Sequence, residues 1–207
     1  MLKRQLLIGV LLSVLTSAPV LAQPGVLWHR CFGGTKGDEC NAMVRTLDNG
    51  FALAGSATST DGDVSGNHGA SDAWLVKLDS NGEIQWQKCF GGTADEEFRS
   101  IIQTTDGGFA MAGRTSSTDG QVSGNHGNYD GWVVKVDNTG AIQWQKCLGG
   151  SSGDEIFSII QTSDGGFAVC GQTNSTDGDV SGSHGANNSD AWVVKLDDAG
   201  NIQWKKC

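Results

Sequence analysis

Proline is almost missing from this chain, with 2 residues in 207, while glycine reaches 31. So little proline excludes a collagen-like helix and a proline-rich linker. Charged residues make up only 18%, below the about 25% of an average protein. Basic residues are the scarcer sign, 14 against 23 acidic, for a formal net charge of −9. Phosphate recognition needs a positive surface, so nucleic acid is excluded as a partner. The sequence also lacks a Cys-x-x-Cys pair, a phosphate-binding glycine loop and an assembled Ser/His/Asp set. Long helical periodicity is absent too. What is present is a hydrophobic fraction of 38% and seven tryptophans, enough for a core and too much for a disordered chain.

The first 22 residues read as a targeting segment. Lys3 and Arg4 form a basic start, Leu6 to Val14 an apolar run, and Val20-Leu21-Ala22 a small-residue cleavage signal. The apolar run is too short to span a membrane as a mature helix. Cleavage before Gln23 leaves 185 residues with a net charge of −11. The expected location is outside the cytoplasm, secreted or at the cell surface, with the periplasm as an alternative. Disulfides are permitted there.

Residues 23–207 are organised by repetition. Trp-x-x-Cys recurs at Trp28/Cys31, Trp86/Cys89, Trp144/Cys147 and Trp204/Cys207, at spacings of 58, 58 and 60. The repeats are 28–85, 86–143 and 144–203, with the start of another at 204–207. Two extra residues fall between His184 and Asp190. A period of this size implies a repeat architecture. Each period holds four short strand patterns. In the second they are Phe98–Gln103 with apolar–polar alternation, Phe109–Gly113 with small residues, Trp132–Val136 rich in β-branched residues, and Ile142–Lys146. Asp106-Gly107-Gly108 and Asp137-Asn138-Thr139-Gly140 supply the turns. The expected fold is all-β, with about three four-stranded β-propeller-type blades. A β-solenoid is the alternative, although its rungs are much shorter than 58 residues.

The run Val-Lys-Leu-Asp-x-x-Gly-x-Ile-Gln-Trp at Val76–Trp86 and Val194–Trp204 resembles the end of a blade in quinoprotein-dehydrogenase-like propellers. There the last strand carries a docking tryptophan. The whole unit, with Asp-Gly-Gly-Phe-Ala and Ser-Thr-Asp-Gly-Asp-Val-Ser-Gly-Asn-His-Gly, resembles the secreted propeller repeats of type IX secretion cargo proteins. The C-terminal sorting domain of that pattern is absent here. The resemblance implies blades at Cys40–Cys89, Phe98–Cys147 and Ile156–Cys207, after an orphan outer strand at Val26–Cys31. Three blades are fewer than the about four to eight that close a ring. Two readings stay open: a piece of a longer protein, or copies that self-associate.

Three groups of residues could carry chemistry. In the first, Asp61, Asp63, Ser65 and Asp72 place oxygens at positions 1, 3, 5 and 12 with Gly66 at 6, the spacing of an EF-hand-type calcium loop. Asp119, Ser123 and Asp130 repeat it with Gln121 in place of a charge. Asp177, Asp179, Ser181 and then Asn188 or Asp190 repeat it again. The competing account is a set of Asx turns that serve only local backbone. In the second group, Asp38-Glu39, Glu96-Glu97 and Asp154-Glu155 offer paired carboxylates, the residue type used in glycoside hydrolysis. They occur in every repeat, whereas a catalytic pair is needed once, so solvated turns are expected. In the third, His68, His126 and His184 are equivalent, and each is expected to bond within its own loop. Sequence proximity leaves a Cys31–Cys40 bridge open; Cys40 and Cys170 read as small core residues. The tryptophans are expected to dock one blade on the next.

Uniform repeats with no unique polar cluster predict a non-catalytic binding or display module for a protein or glycan, with calcium as a stabiliser. The alternative is a carbohydrate-active protein, lectin or glycosidase, using the acidic loops. A quinone-dependent oxidoreductase follows from blade resemblance alone, which does not carry function. Residues that break the repeat would mark an enzyme, and Tyr129, Cys40 and the 186–189 insertion are the visible ones.

Overall fold

A computed structural model describes residues 28–184 and 188–207. The targeting segment and part of the third-repeat insertion lie outside the described residues.

The chain is all-β. Twelve strands form three separate four-stranded antiparallel sheets, each a simple meander. Blade 1 comprises β1 (Asp38–Arg45), β2 (Phe51–Ala57), β3 (Asp72–Leu78) and β4 (Ile84–Phe90). Blade 2 comprises β5 (Glu96–Gln103), β6 (Phe109–Thr115), β7 (Asp130–Val136) and β8 (Ile142–Leu148). Blade 3 comprises β9 (Asp154–Gln161), β10 (Phe167–Thr173), β11 (Asp190–Leu196) and β12 (Ile202–Lys206). Every strand begins or ends within a few residues of its sequence pattern, because Asp-Gly-Gly and Asp-x-x-Gly turns fix both hairpins. Residues 28–34 carry no strand. Of the orphan strand expected at Val26–Cys31, the described part, 28–31, forms none, and its first residues lie outside the described ones.

The sheets stack face to face. β5 packs on β1, β2 and β3, and β9 on β5, β6 and β7. The first strands therefore approach one another on the inner side, and β4, β8 and β12 form the outer rim. Each blade has two unlike faces. One is bulky: in blade 2 it carries Phe98, Ile101, Met111, Trp132 and Val134. The other is built from small side chains: Ala110, Ala112, Gly131 and Val133. Bulky face meets small face at both junctions, so neighbouring sheets interlock. Phe98 lies stacked on Trp132, with centroids 5.7 Å apart, and both are fully buried.

A bulge recurs in every first strand, at Cys40/Ala42, Phe98/Ser100 and opposite Cys170/Gly171. The bulge presses the first strand onto Gly55, Gly113 and Gly171, where any Cβ would strike the carbonyl oxygen of Glu39, Glu97 or Glu155. Glycine is required there by space, not by its φ.

The outer tryptophans link one blade to the next, as the repeat pattern led us to expect. Trp86 meets Phe109 edge-on at 6.0 Å and Trp144 meets Phe167 at 5.5 Å. Each indole also covers a turn glycine of the following blade, Gly140 or Gly200, both at positive φ. Trp28 makes the same contact with Phe51 and Gly82.

Candidate functional site

The turns on one end of the blades are pinned by buried lysines. Lys77 donates to Asp48 at 2.7 Å, Lys135 to Asp106 at 2.9 Å and Lys195 to Asp164 at 2.9 Å. Each ammonium also reaches a backbone carbonyl and a glutamine oxygen. The Lys77 ammonium, followed by the Thr46 hydroxyl, holds Asp48 down at about 2. Burial, the strongest single influence, works upward on Asp106, but the Lys135, Thr104 and Gly108 donors together outweigh it and leave that carboxyl at about 2 as well.

The opposite end carries the long loops and the candidate site residues. Asp61 accepts from the Thr35 amide at 2.8 Å and the Thr35 hydroxyl at 2.9 Å. Asp119 treats Thr93 identically, and Asp177 accepts the Ser151 amide at 2.8 Å. These donors, the backbone one first, hold Asp61, Asp119 and Asp177 below the usual carboxylate range. Asp63 accepts from Gly33 N at 3.2 Å, and Gln121 takes the same role towards Gly91 N. Ser65 and Ser123 receive the side-chain amides of Gln87 and Gln145 at 2.6 and 2.5 Å. Ser181 is exposed. The amide of Asp179 donates to Gly149 O at 2.7 Å, and its Oδ2 is buried without a hydrogen-bond partner among the described residues.

Asp72 and Asp130 open β3 and β7 and are fully buried. Their Oδ2 atoms meet the Nδ1 of His68 and His126 at 2.5 and 2.6 Å, so each histidine bonds within its own loop. Asp190 lies closer to the surface and accepts the His184 amide at 2.6 Å. Burial pushes the Asp130 carboxyl upward, His126 pulls it back, and Asp154 adds to the rise. Most of the calcium-loop oxygens are thus tied to separate donors of the chain, whereas Asp130 Oδ1, like Asp179 Oδ2, is buried with none among the described residues. Among the described residues no three His, Cys, Asp or Glu side chains converge on a cation position.

The carboxylate pairs correct the sequence expectation. They are not solvated turns but strand starts, and the first member of each faces inward. Glu96 and Asp154 are fully buried. Glu96 accepts from Gly92 N at 2.8 Å, the Thr115 hydroxyl at 2.7 Å and Ser117 N at 3.1 Å. Asp154 accepts from Gly150 N and Ser175 Oγ at 2.8 and 2.7 Å. Burial works against ionisation of Asp38, but donors from Ser59 and Gly34 outweigh it and keep the group below its ordinary value. These acids close the interblade connection onto the long loop, so their repetition has a structural reason.

The second members are different, because they meet residues that the repeat does not share. Arg99 contacts Glu155 at 3.0 Å and Glu97 at 3.2 Å, and Arg114 lies 3.5 Å from Glu97. The Arg114 guanidinium also stands 5.6 Å over the Tyr129 ring. Equivalent positions hold Asn41 and Phe157 for Arg99, Ser56 and Gln172 for Arg114, and Ser71 and Ser189 for Tyr129. A polar cleft of about 260 Å³ opens between blades 1 and 2 beside this group, lined by Glu39, Ser56, Asp95, Glu97 and Arg114 among others. Sequence reading missed both arginines, although each is a unique cation at a position that is neutral in the other repeats. Cys31, Cys40 and Cys170 are free and exposed. Cys40 and Cys170 are therefore not core residues: each sits on a sheet face that no described blade covers.

Fold and site together define an all-β repeat protein of propeller-type blades with a polar cleft lined by a repeat-breaking arginine. No family model matches the chain. It is similar to the regulatory protein FlaEY of Caulobacter vibrioides, with 32% identity over 157 residues, which cover 70% of this chain and 16% of that protein. The chain thus spans about one sixth of that relative's length.

Proposed function

We propose that this is an exported, non-catalytic β-propeller-type module that binds a polar ligand, a protein surface or a glycan, at the cleft between blades 1 and 2. One observation carries the reading: Arg114, a cation that breaks an otherwise uniform repeat, lines that cleft beside Glu97, and the other repeat-breaking residues adjoin this pair, Arg99 through Glu97 and Tyr129 under the Arg114 guanidinium. The carboxylates that do repeat are occupied by backbone and hydroxyl donors of the chain, which accounts for them without catalysis. The relative is named a regulatory protein, which accords with a role in binding. A glycan is favoured within this reading by the cleft itself, since acids, an arginine and hydroxyls side by side can pair with sugar hydroxyls. Glycan-array and surface-capture measurements on the purified chain test it. Arg114→Ala should lose binding while keeping the fold, and hydrolysis of any glycan retained by the wild type would overturn the non-catalytic reading.

Calcium belongs to this reading as a ligand of the long loops. It would take Asp61, Asp63, Ser65 and Asp72, or their equivalents, from the donors that now hold them. The reading expects millimolar calcium to raise the melting temperature by linkage and Asp61→Ala to remove part of the rise. No rise leaves the loops closed by the chain's own donors. Export is tested by N-terminal sequencing of the protein recovered outside the cytoplasm, with Gln23 expected first.

A further inference from the structure

Resting on the binding reading above, we infer that the ligand of the cleft between blades 1 and 2 is a glycan carrying a free amine. Its ammonium lies on Glu39, on the side facing Glu97, and its ring beside Ser71 and Asp95. The neighbouring junction, between blades 2 and 3, shows the same place filled by the chain itself. There Glu97 and Glu155 are the facing acids. The Arg114 guanidinium stands between them, 3.5 Å from Glu97 and 3.9 Å from Glu155. Arg99 brings a second guanidinium to the same two acids, at 3.2 and 3.0 Å. The Tyr129 ring lies beneath Arg114, its centroid 5.6 Å from the guanidinium carbon. That ring is seated on Gly153, where any Cβ would strike it, and the two residues are joined by a parallel bridge. A cation and a six-membered ring thus lie side by side there, and two acids are matched by two guanidinium groups.

Between blades 1 and 2 each of these filling groups is shortened. Strand pairing fixes the equivalences. Ser56 opposes Glu39 as Arg114 opposes Glu97, and Ser71 bridges Asp95 as Tyr129 bridges Gly153. Asn41 stands in place of Arg99 and gives its amide to Glu97 and the Phe98 carbonyl, at 2.8 and 2.9 Å. The space left is the cleft of about 260 Å³, lined by Glu39, Ser56, Ser71, Asp95 and Glu97 among others. Glu97 already has Arg99 and Arg114. Glu39 and Asp95 are exposed acids with no ion pair among the described residues, and they are the charges left to compensate. An ammonium does so through charge-assisted hydrogen bonds. The rest of the ligand is set by the lining, which is hydroxyls and carboxylates rather than apolar side chains. A ring bearing hydroxyls pairs with these groups, whereas an aromatic ring in Tyr129's place would leave them unpaired. The cleft is smaller than the about 300–1,000 Å³ of drug-sized pockets, which suits one sugar ring with the rest of the glycan in solvent. An N-acetylated ring brings no charge and leaves Glu39 as it is.

Isothermal titration of the purified chain with a glucosamine oligomer and with its N-acetylated twin tests this. Slightly acidic buffer keeps the sugar amine protonated and the carboxylates, ordinarily near about 4, ionised. We expect the amine form to bind about ten-fold tighter or more. Glu39→Gln should erase that preference. Ser56→Arg writes the blade 2 arginine into blade 1 and should abolish binding of the amine form with unchanged β-sheet circular dichroism. Asp198→Asn removes an exposed acid from the other end of the blades and should leave binding unchanged, which separates the site from the general attraction of an acidic chain for cations. Equal binding of both oligomers, weakened in both by Arg114→Ala, overturns the amine while the cleft reading stands. Amine binding that survives Glu39→Gln and Ser56→Arg overturns the site. A lysine- or arginine-bearing peptide that binds more tightly than the amine oligomer overturns the sugar. Absence of binding by the amine oligomer overturns the inference, and the cleft reading falls with it only if neutral glycans also fail to bind.

Discussion

Lys205→Gln should make this protein more stable. In blades 1 and 2 the indole Nε1 of Trp74 and Trp132 donates to the Oε1 of Gln87 and Gln145, at 2.7 Å in both cases. The same glutamines pass their amide to Ser65 and Ser123. Blade 3 has Lys205 at this place. An ammonium cannot accept a hydrogen bond, and Trp192 Nε1 is buried with no partner among the described residues. Leaving a buried donor unpaired costs about 1–3 kcal/mol. Lys205 recovers a little through an exposed contact to Gly178 O at 3.2 Å, an exposed bond of about 0.5 kcal/mol at most. The substitution restores the indole bond and offers a second one to Ser181, for a net gain of about 1–2 kcal/mol. For a domain of this size that is a rise of roughly 2–8 °C in melting temperature. The reverse change, Gln145→Lys, should cost a similar amount. Both are read by thermal and urea unfolding followed by circular dichroism. A Lys205→Gln chain no more stable than its parent, alongside a destabilised Gln145→Lys, would refute the reasoning.

Other outcomes follow from the same geometry. Trp144→Ala removes the indole from Phe167 and Gly200; roughly 100 Å² of ring at about 25 cal/mol per Å², plus the aromatic pair, predicts a loss of about 3 kcal/mol in urea unfolding. Gly113→Ala drives a methyl into the Glu97 carbonyl and should cost about 1–3 kcal/mol by the same measurement, whereas Gly107→Ala meets open space and is strained only by its φ of 85°. Asp48 and Asp106 are depressed to about 2 from an ordinary 3.8, so their contribution is intact above about pH 4 and is lost as pH falls towards 2. Acid melts of Asp48→Asn/Asp106→Asn should therefore show a shallower decline across that window than the parent. Burial pushes the Cys89 and Cys147 thiols up to about 12, so a thiol reagent at pH 8 should modify exposed Cys31 and Cys170 and spare these two until the protein unfolds.

The strands were legible because each period repeats the same alternation between the same turns, and three copies of one pattern leave little room for a different register. The tryptophan seats were legible for a related reason: an indole followed at fixed distance by Cys and Gly-Gly implies one recurrent environment. The carboxylates were not. Glu96 and Asp154 follow glycine-containing connections and read as turn acids, yet their donors come from Thr115, Ser117 and Ser175, some twenty residues further on. Burial of that kind is decided by which loop folds over which, and neighbouring sequence does not carry it. Arg99 and Arg114 were hidden because each looks like an ordinary polar position on an alternating strand; only the pairing of β5 with β6 brings Arg114 to Glu97, and only the packing of β9 on β5 brings Glu155 to Arg99. Cys40 and Cys170 were misplaced because their repeat partners are core residues, whereas their own faces are uncovered.

The unlike faces of a blade give the stack a direction. A bulky sheet can accept only a small one, so no blade can be laid in backwards and none can be skipped without leaving both neighbours matched again. Duplicating or deleting one whole 58-residue segment produces, at the new seam, a junction of a kind the molecule already contains. Length in such a protein can therefore change by whole units through a single genetic event, while a fraction of a unit would set bulky face against bulky face or leave an indole without its glycine.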